Sequence, residues 1–445
     1  MKRTTVSILC LLVWAYGLHA AELTMTLPEG SLTIEQAHRI TMDNSPTVQQ
    51  AIARILAANA RLGQAQSAWW PTIAAQGQHL ESYASMQLDW APNTRIRGSM
   101  HRSSCGVQLT WRLFDGFARR ANILAAEWAV EQSQQLLSDT QRLLLEAVST
   151  AFYGAQLARE NMGIARQNQQ FNRTLETDAR TRWAAGSVAE AEMLNFSVRA
   201  LQAESDFLDA ERNFKVACTV LAELMAMPEA TLPRDIYPTG SNKTLVRDLP
   251  DYEAQVAYAL EHRPDLKALT SNILSLREQL RSRRAAYAPK IDLTAGADYL
   301  FQGDGGYVDQ DEHSSYVGIT ARWDLFSGGR RGQEVLQARA EIRAAEAQRR
   351  QAILTVHSAV RQAIDNAQTA HATFTRQQQA YELTQRIRDH VETSYRTGVA
   401  SLTRLNEAQT DLVRVAGAAA SSRIQYVLAL EKLKAETGRI LREVN

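Results

Sequence analysis

Two periods alternate along this chain. From Lys290, the residues Ile291, Leu293, Ala295, Ala297, Tyr299 and Phe301 alternate with Asp292, Thr294, Gly296 and Asp298. A returning segment alternates Val317, Ile319, Ala321, Trp323 and Leu325 with Gly318, Thr320, Arg322 and Asp324. A period of two sets one apolar face against one polar face, which predicts the two strands of a hairpin. An earlier pair shows the same alternation. Val107, Leu109, Trp111 and Leu113 are interleaved with Gln108, Thr110 and Arg112, while the strand after Pro71 is weaker, with His79 and Glu81 on its apolar face. An apolar face of about ten residues suits a transmembrane strand between lipid and water. Four strands do not close a membrane barrel, for which about eight is the minimum. An open edge would leave unpaired backbone groups in lipid. The barrel is therefore expected to be shared between chains, as a dimer or a trimer.

The second period is helical. Leu405, Ala408, Leu412, Val415, Ala419, Ser422, Tyr426, Ala429 and Leu433 follow one another in steps of three and four. Subtracting 212 gives Met193, Phe196, Ala200, Ala203, Phe207, Ala210, Phe214, Ala217 and Leu221, apolar throughout. These are coiled-coil seams whose alanines allow close approach. The descending partners carry Ala147, Ala151, Gly154 and Ala158, matched by Ala359, Ala363, Asn366 and Ala370. Phe114 and Gly186 lie 72 positions apart, as do Phe326 and Gly398. A helix of that length runs about 100 Å, so the hairpins must project from any compact body.

The offset of 212 extends further. WRLFDGFARR at 111–120 returns as WDLFSGGRR at 323–331, and upstream the shift becomes 218, with Pro46, Pro71 and Ile73 falling on Pro264, Pro289 and Ile291. The chain thus reads as two copies of one unit, the first carrying six extra residues between Pro71 and Phe114, expected at a loop tip. Residues 93–227 and 290–445 lack proline, whereas four of the ten prolines fall at 228, 233, 238 and 250. The expected division is a first repeat at 21–227, a linker at 228–250 and a second repeat at 251–445, with hairpin strands at about 72–114 and 290–326.

Composition narrows the setting. Lys2 and Arg3, an apolar run from Val6 to Gly17 and the small residues at Ala20 and Ala21 predict a secretory signal at 1–20. Beyond it only Cys105 and Cys218 remain, on an expected strand and a distant helix, and they are expected as free thiols. Charge is balanced, 49 basic residues against 48 acidic, so nothing favours nucleic acid. There is no HExxH, GxSxG, GxGxxG or Walker loop, and the histidines are scattered, so no enzyme, metal or cofactor is expected and energy must come from a partner.

The aromatic-proline segments AWWP and AYAP, the LFDG and LFSG exits and the YRTGVASLTRLNEAQ turn together resemble the TolC family of outer-membrane channel proteins. That resemblance implies a mixed, mainly α fold of two tandem repeats in a homotrimer. Each chain would give four strands to a 12-stranded barrel in the outer-membrane lipid, continued by a periplasmic α-barrel. It implies a periplasmic adaptor (membrane fusion) protein and an inner-membrane pump of RND, ABC or MFS type as partners. The chain would then be the exit duct of a tripartite export system in a Gram-negative bacterium, with small-molecule efflux the leading role. The alternatives are type I protein secretion and, in a different class, a periplasmic coiled-coil protein without a pore.

Trp69, Trp70, Trp111, Tyr287 and Trp323 fall near the periplasmic ends of the strands and read as an aromatic girdle. The far turns carry Trp183, Gly186, Tyr395, Arg396, Gly398 and Ser401; the resemblance implies adaptor docking there. It also implies a tunnel constriction just beyond, at Arg404 and Glu407 and at Glu192 and Asn195. One of these is basic where relatives are often acidic, which argues against a purely cation-attracting ring. The outer loops differ in sign: Arg95, Arg97 and Arg102 stand in one, Asp304, Asp309, Asp311 and Glu312 in the other.

Overall fold

The computed structural model describes residues 30–88, 90–233, 237–239, 251–302 and 312–443. The signal at 1–20, most of the linker and the acidic loop at 303–311 lie outside them. The elements are β1 (Ser31–Leu32), α1 (Ile34–Asn44), α2 (Pro46–Ser67), β2 (Thr72–Leu88), β3 (Ala91–Phe114), α3 (Ala118–Ala184) and α4 (Glu190–Leu224), followed after a short 3-10 turn by β4 (Tyr237–Pro238). Then come α5 (Tyr252–His262), α6 (Pro264–Ala285), β5 (Lys290–Gln302), β6 (Glu312–Arg322), α7 (Arg330–Arg396) and α8 (Leu402–Thr437). The fold is mainly helical.

Pro46 and Pro264 open α2 and α6 at the first helical position, where a missing N–H costs nothing. The four long strands form one antiparallel sheet in the order β2-β3-β5-β6. Its registers align the apolar positions on one face: Ile73 opposite Leu109, Trp111 opposite Leu293 and Leu293 opposite Ile319. Ile73, Val107, Val317 and Ile319 on that face are all exposed. Cys105 and Cys218 are free. Among the described residues no helix is long and apolar enough to cross a membrane.

Two strand expectations change. β6 ends at Arg322, so Trp323, Leu325 and Phe326 lie beyond it. The Leu325 carbonyl there accepts from the Arg331 guanidinium at 3.1 Å instead of joining a ladder. In the first hairpin the ladder holds as far as Leu88 opposite Ala91, so the added residues lengthen paired strands instead of forming a loop.

α3 and α7 are each 67 residues long, and α4 and α8 run back along them as antiparallel partners. All eighteen seam positions expected on α4 and α8 are buried or half-buried. On the descending helices the buried stripe is displaced by one position, although Ala363 of α7 is buried as expected. Val148, Phe152 and Ala155 of α3 are fully buried, as are Val360 and Ala367 of α7, whereas Ala147 and Ala151 are half-buried and Asn366 is exposed. Bulkier side chains gain more from leaving water, and they set the rotation of the helix.

The core concentrates at the waist of these helices. Leu32, Ala37, Val148, Phe152, Leu221 and Met225 form one cluster, and Val256, Leu266, Val356, Val360 and Leu433 another. An ionic tie fixes the end of α8 to the start of α6: Arg263 donates to Glu436 Oε2 and to Asp265 Oδ2, both at 2.9 Å. Burial alone would raise the Asp265 carboxyl, but the Arg263 guanidinium overrides it and holds the pKa below the usual carboxylate value. Within the chain α3 also packs against α8, while the far face of α4 has no such neighbour. Leu194, Val198, Leu201, Leu208, Val216 and Val220 stand exposed along it.

Candidate functional site: hairpin tips and strand–helix joints

Both far turns are built alike. α3 and α7 end where Gly186 and Gly398 take φ of 72° and 78°, a left-handed conformation that side chains resist. The Gly186 N–H donates to the Trp183 carbonyl at 2.8 Å and the Gly398 N–H to the Tyr395 carbonyl at 3.0 Å. The next helices start differently. The Ser401 hydroxyl accepts from the Arg404 N–H and caps α8, whereas Ala189, at the matching position, leaves α4 without a side-chain cap.

Behind the turns the two hairpins meet in one cluster. Leu175, Ala179, Phe196 and Leu405 are buried there, with Phe171, Val391, Tyr395 and Leu402 packed on them. Tyr395 crosses between the hairpins and donates its hydroxyl to Glu192 Oε1 at 3.3 Å, with the Arg182 guanidinium 6.0 Å from its ring. Burial, and then the Glu192 charge, push the Tyr395 phenol up, so it stays a donor at neutral pH. Of the expected constriction residues, Glu192 is thus engaged by the other hairpin. Asn195 accepts from Arg199 at 3.0 Å, and the exposed Arg404 and Glu407 pair with each other at 3.4 Å. Arg396 is held by Glu392 at 2.7 Å, and Trp183 is 45% exposed.

Further up, two polar ties that local pattern could not reveal join α3 to α8. Arg423 binds Glu160, and the Gln409 amide donates to Asn168 Oδ1 at 3.0 Å. These partners lie 263 and 241 positions apart, so only the packing of α8 on α3 brings them together.

The expected aromatic residues collect where strands become helices. Trp111 donates its indole N–H to the Trp69 carbonyl at 2.9 Å, and Trp323 donates to Tyr287 at 3.0 Å. Trp69, Trp70, Trp111, Tyr287 and Trp323 all remain exposed. At the centre of each joint a buried arginine, which no local period predicts, gathers loose carbonyls. Arg119 donates to Leu113 at 3.1 Å and to Ala68 at 3.4 Å, pairs with Asp115 at 3.1 Å, and lies 4.2 Å from the centre of the Trp69 ring. Arg331 donates to Leu325 at 3.1 Å, to Ala286 at 3.2 Å and to the Ser327 hydroxyl at 3.0 Å, over the ring of Tyr287. A Cβ on Gly116 would stand 2.7 Å from the Ala285 carbonyl oxygen, so the first joint requires glycine there. Among the described residues no group of His, Cys, Asp and Glu is arranged to hold a metal.

The chain is similar to known proteins over most of its length. The outer membrane efflux protein family model matches residues 39–226 and 256–439. The chain is 24% identical over 403 residues to Protein CyaE of Bordetella pertussis, covering 91% of this chain and 82% of that one. It is 26% identical over 345 residues to the outer membrane efflux protein BepC of Brucella suis, covering 75% and 72%. The crystal structure of the Campylobacter jejuni CmeC outer membrane channel superposes with a TM-score of 0.74 at 16% identity, covering 91% of this chain and 85% of that one.

Proposed function

Because the chain belongs to the outer membrane efflux protein family, we propose that it works as a passive homotrimeric duct, the outer-membrane exit of a tripartite export system. Its place is the outer membrane of a Gram-negative bacterium and its role is export. Residues 21–227 and 251–445 are read as two copies of one unit, joined by the linker 228–250.

One observation carries the trimer: the unpartnered faces of a single chain match contacts already made inside it. β3 of the first half pairs with β5 of the second, and α3 of the first half packs on α8 of the second. Their counterparts, the β2 and β6 edges and the exposed apolar face of α4, repeat that geometry between chains. In lipid the open edges cost several kcal/mol per unpaired group. Two chains would give eight strands, whose interior is filled by side chains. Three give twelve and leave a conduit.

In this assembly Trp69, Trp70, Trp111, Tyr287 and Trp323 form the periplasmic girdle. The turns with Trp183, Gly186, Tyr395, Arg396, Gly398 and Ser401 form the surface for a periplasmic adaptor, which links the duct to an inner-membrane pump of RND, ABC or MFS type. Glu192, Asn195, Arg404 and Glu407 line the constriction, where the Arg404–Glu407 pair leaves little net charge. The cargo read most simply is small molecules. The test is the mass of the purified protein together with conductance in planar bilayers. A trimer that conducts carries the reading, and a monomer or a silent membrane overturns it. Cross-linking from Ser401→Cys in intact cells then identifies what docks; capture of no inner-membrane adaptor overturns the docking assignment.

A further inference from the structure

At the tips one apolar cluster is complete within the chain, while its counterpart at the offset of 212 is not. Phe171 and Leu175 of α3 lie in one cluster with Leu402 and Leu405 of α8 and with Val391 and Tyr395 of α7. Adding 212 to the first two gives Leu383 and Ile387 of α7. These are large and apolar, yet they stand 53% and 51% exposed. Two positions that match buried or packed residues of the first hairpin are thus left open to water on the second.

The polar link across the complete tip has a counterpart too. Tyr395, near the end of α7, donates to Glu192, in the first turn of α4. At the offset of 212 Tyr395 falls on Trp183 and Glu192 on Arg404. Within the chain these two do not pair with each other. Trp183 is 45% exposed, and Arg404 is exposed with one nitrogen of its fork 3.4 Å from Glu407. The chemistry of the second pair differs from the first but is equally matched. A phenol hydroxyl suits a carboxylate, and an indole face is the best aromatic partner for a cation. A guanidinium can stack by its face while its edge keeps a carboxylate.

We propose that Arg404 stacks on Trp183 of the partner subunit, and that Leu383 and Ile387 pack against the first hairpin of that subunit. The inference rests on the repeat and trimer readings above and adds the residues that join the tips between chains. In a closed ring the step from the first hairpin to the second is followed by a like step from the second to the first hairpin of the partner subunit. The contact from Tyr395 to Glu192 is made at the first kind of step. At the second kind Trp183 of the partner subunit takes the place of Tyr395, and Arg404 that of Glu192. Leu383 and Ile387 then leave water as Phe171 and Leu175 do inside the chain.

The test uses the full-length protein carrying Cys105→Ser and Cys218→Ser, which removes the two free thiols, and a short bis-methanethiosulfonate cross-linker. Trp183→Cys with Arg404→Cys is expected to give covalent dimers and trimers on a denaturing gel. Tyr395→Cys with Glu192→Cys is expected to close within one chain and run as a monomer. A monomer from the first pair, in protein that is trimeric by mass, overturns the contact. Trimer dissociation in detergent reads its chemistry. Trp183→Leu and Arg404→Gln are each expected to speed it about threefold per seam, and the double variant no more than either alone. Arg404→Lys keeps the cation and is expected to retain most of the parent's lifetime. Effects that add, or a lysine variant as fast as the glutamine one, overturn the pairing of cation and ring. A parent that is monomeric by mass overturns the trimer reading instead, so the two failures are distinct.

Discussion

The two strand–helix joints stand 212 positions apart and meet one requirement with different residues. Each turns the chain through two consecutive left-handed residues, Gly116 and Phe117 in the first and Gly328 and Gly329 in the second. Each then closes with an arginine that collects two carbonyls and lies over an aromatic ring. The first joint accepts strain, since Phe117 takes a φ of 69° where its counterpart is glycine. It compensates with a buried ion pair, Arg119–Asp115, where the second offers Arg331 only a serine hydroxyl. What both preserve is the planar donor fork that satisfies carbonyls left over when a strand ends. The charge partner is variable.

The sharpest way to break this comparison is to remove the two arginines in turn. Arg119→Ala leaves the Asp115 carboxylate buried without its cation, along with two orphaned carbonyls, and is expected to cost about 3–5 kcal/mol. Arg331→Ala strands carbonyls and a hydroxyl but no charge, and is expected to cost about 2 kcal/mol. Denaturant unfolding of the purified protein checks the order. Equal losses would mean that the carboxylate contributes nothing and that the two joints are energetically one.

The next effect concerns the left-handed residues. Gly329→Ala imposes on the second joint the strain that the first already carries, and is expected to destabilise by about 1–2 kcal/mol. Phe117→Gly relieves it and gains less, because the edge-on contact of Phe117 with Phe114, at 5.7 Å between ring centres, is lost. A melting temperature that falls in Phe117→Gly would show that this ring contact outweighs the strain.

These joints also mark where sequence reasoning stops. The seams of α4 and α8 are legible because burial on a straight helix repeats at three and four residues, and the sheet is legible because its faces alternate. Phe117 is not legible, since nothing in a phenylalanine announces a left-handed backbone; only its alignment with Gly329 hints at it. The displaced stripe on α3 is not legible from its small residues, because the volume of Val148 and Phe152 decides which face turns inward. Arg423 with Glu160 and Tyr395 with Glu192 depend on packing between elements more than 200 positions apart, which no local period encodes.

The tips extend the comparison at lower energy. Ser401 caps α8 and Ala189 leaves α4 uncapped. Ser401→Ala should cost about 1 kcal/mol, and Ala189→Ser should return a similar amount to the first tip. Hydrogen exchange at the first turns of α8 and α4 reads the change locally. If the protection of α4 already matches that of α8, the uncapped end is held by the cluster around Phe196 and the cap is redundant.

The smallest effect separates the same two tips by charge. Glu192 is drawn toward Tyr395, while its counterpart Arg404 is exposed and paired with Glu407. Arg404→Glu removes the internal neutralisation, and in the proposed trimer it would set acidic groups around one ring. The permeability ratio should then shift toward cations by about twofold, modest because solvent and salt screen exposed charges within about 8 Å. Glu407→Lys should shift it the other way. Reversal potentials in asymmetric salt measure both. If neither moves, Arg404 and Glu407 do not line the narrowest part of the path, and the constriction belongs to the residues that hold Tyr395 and Glu192 together.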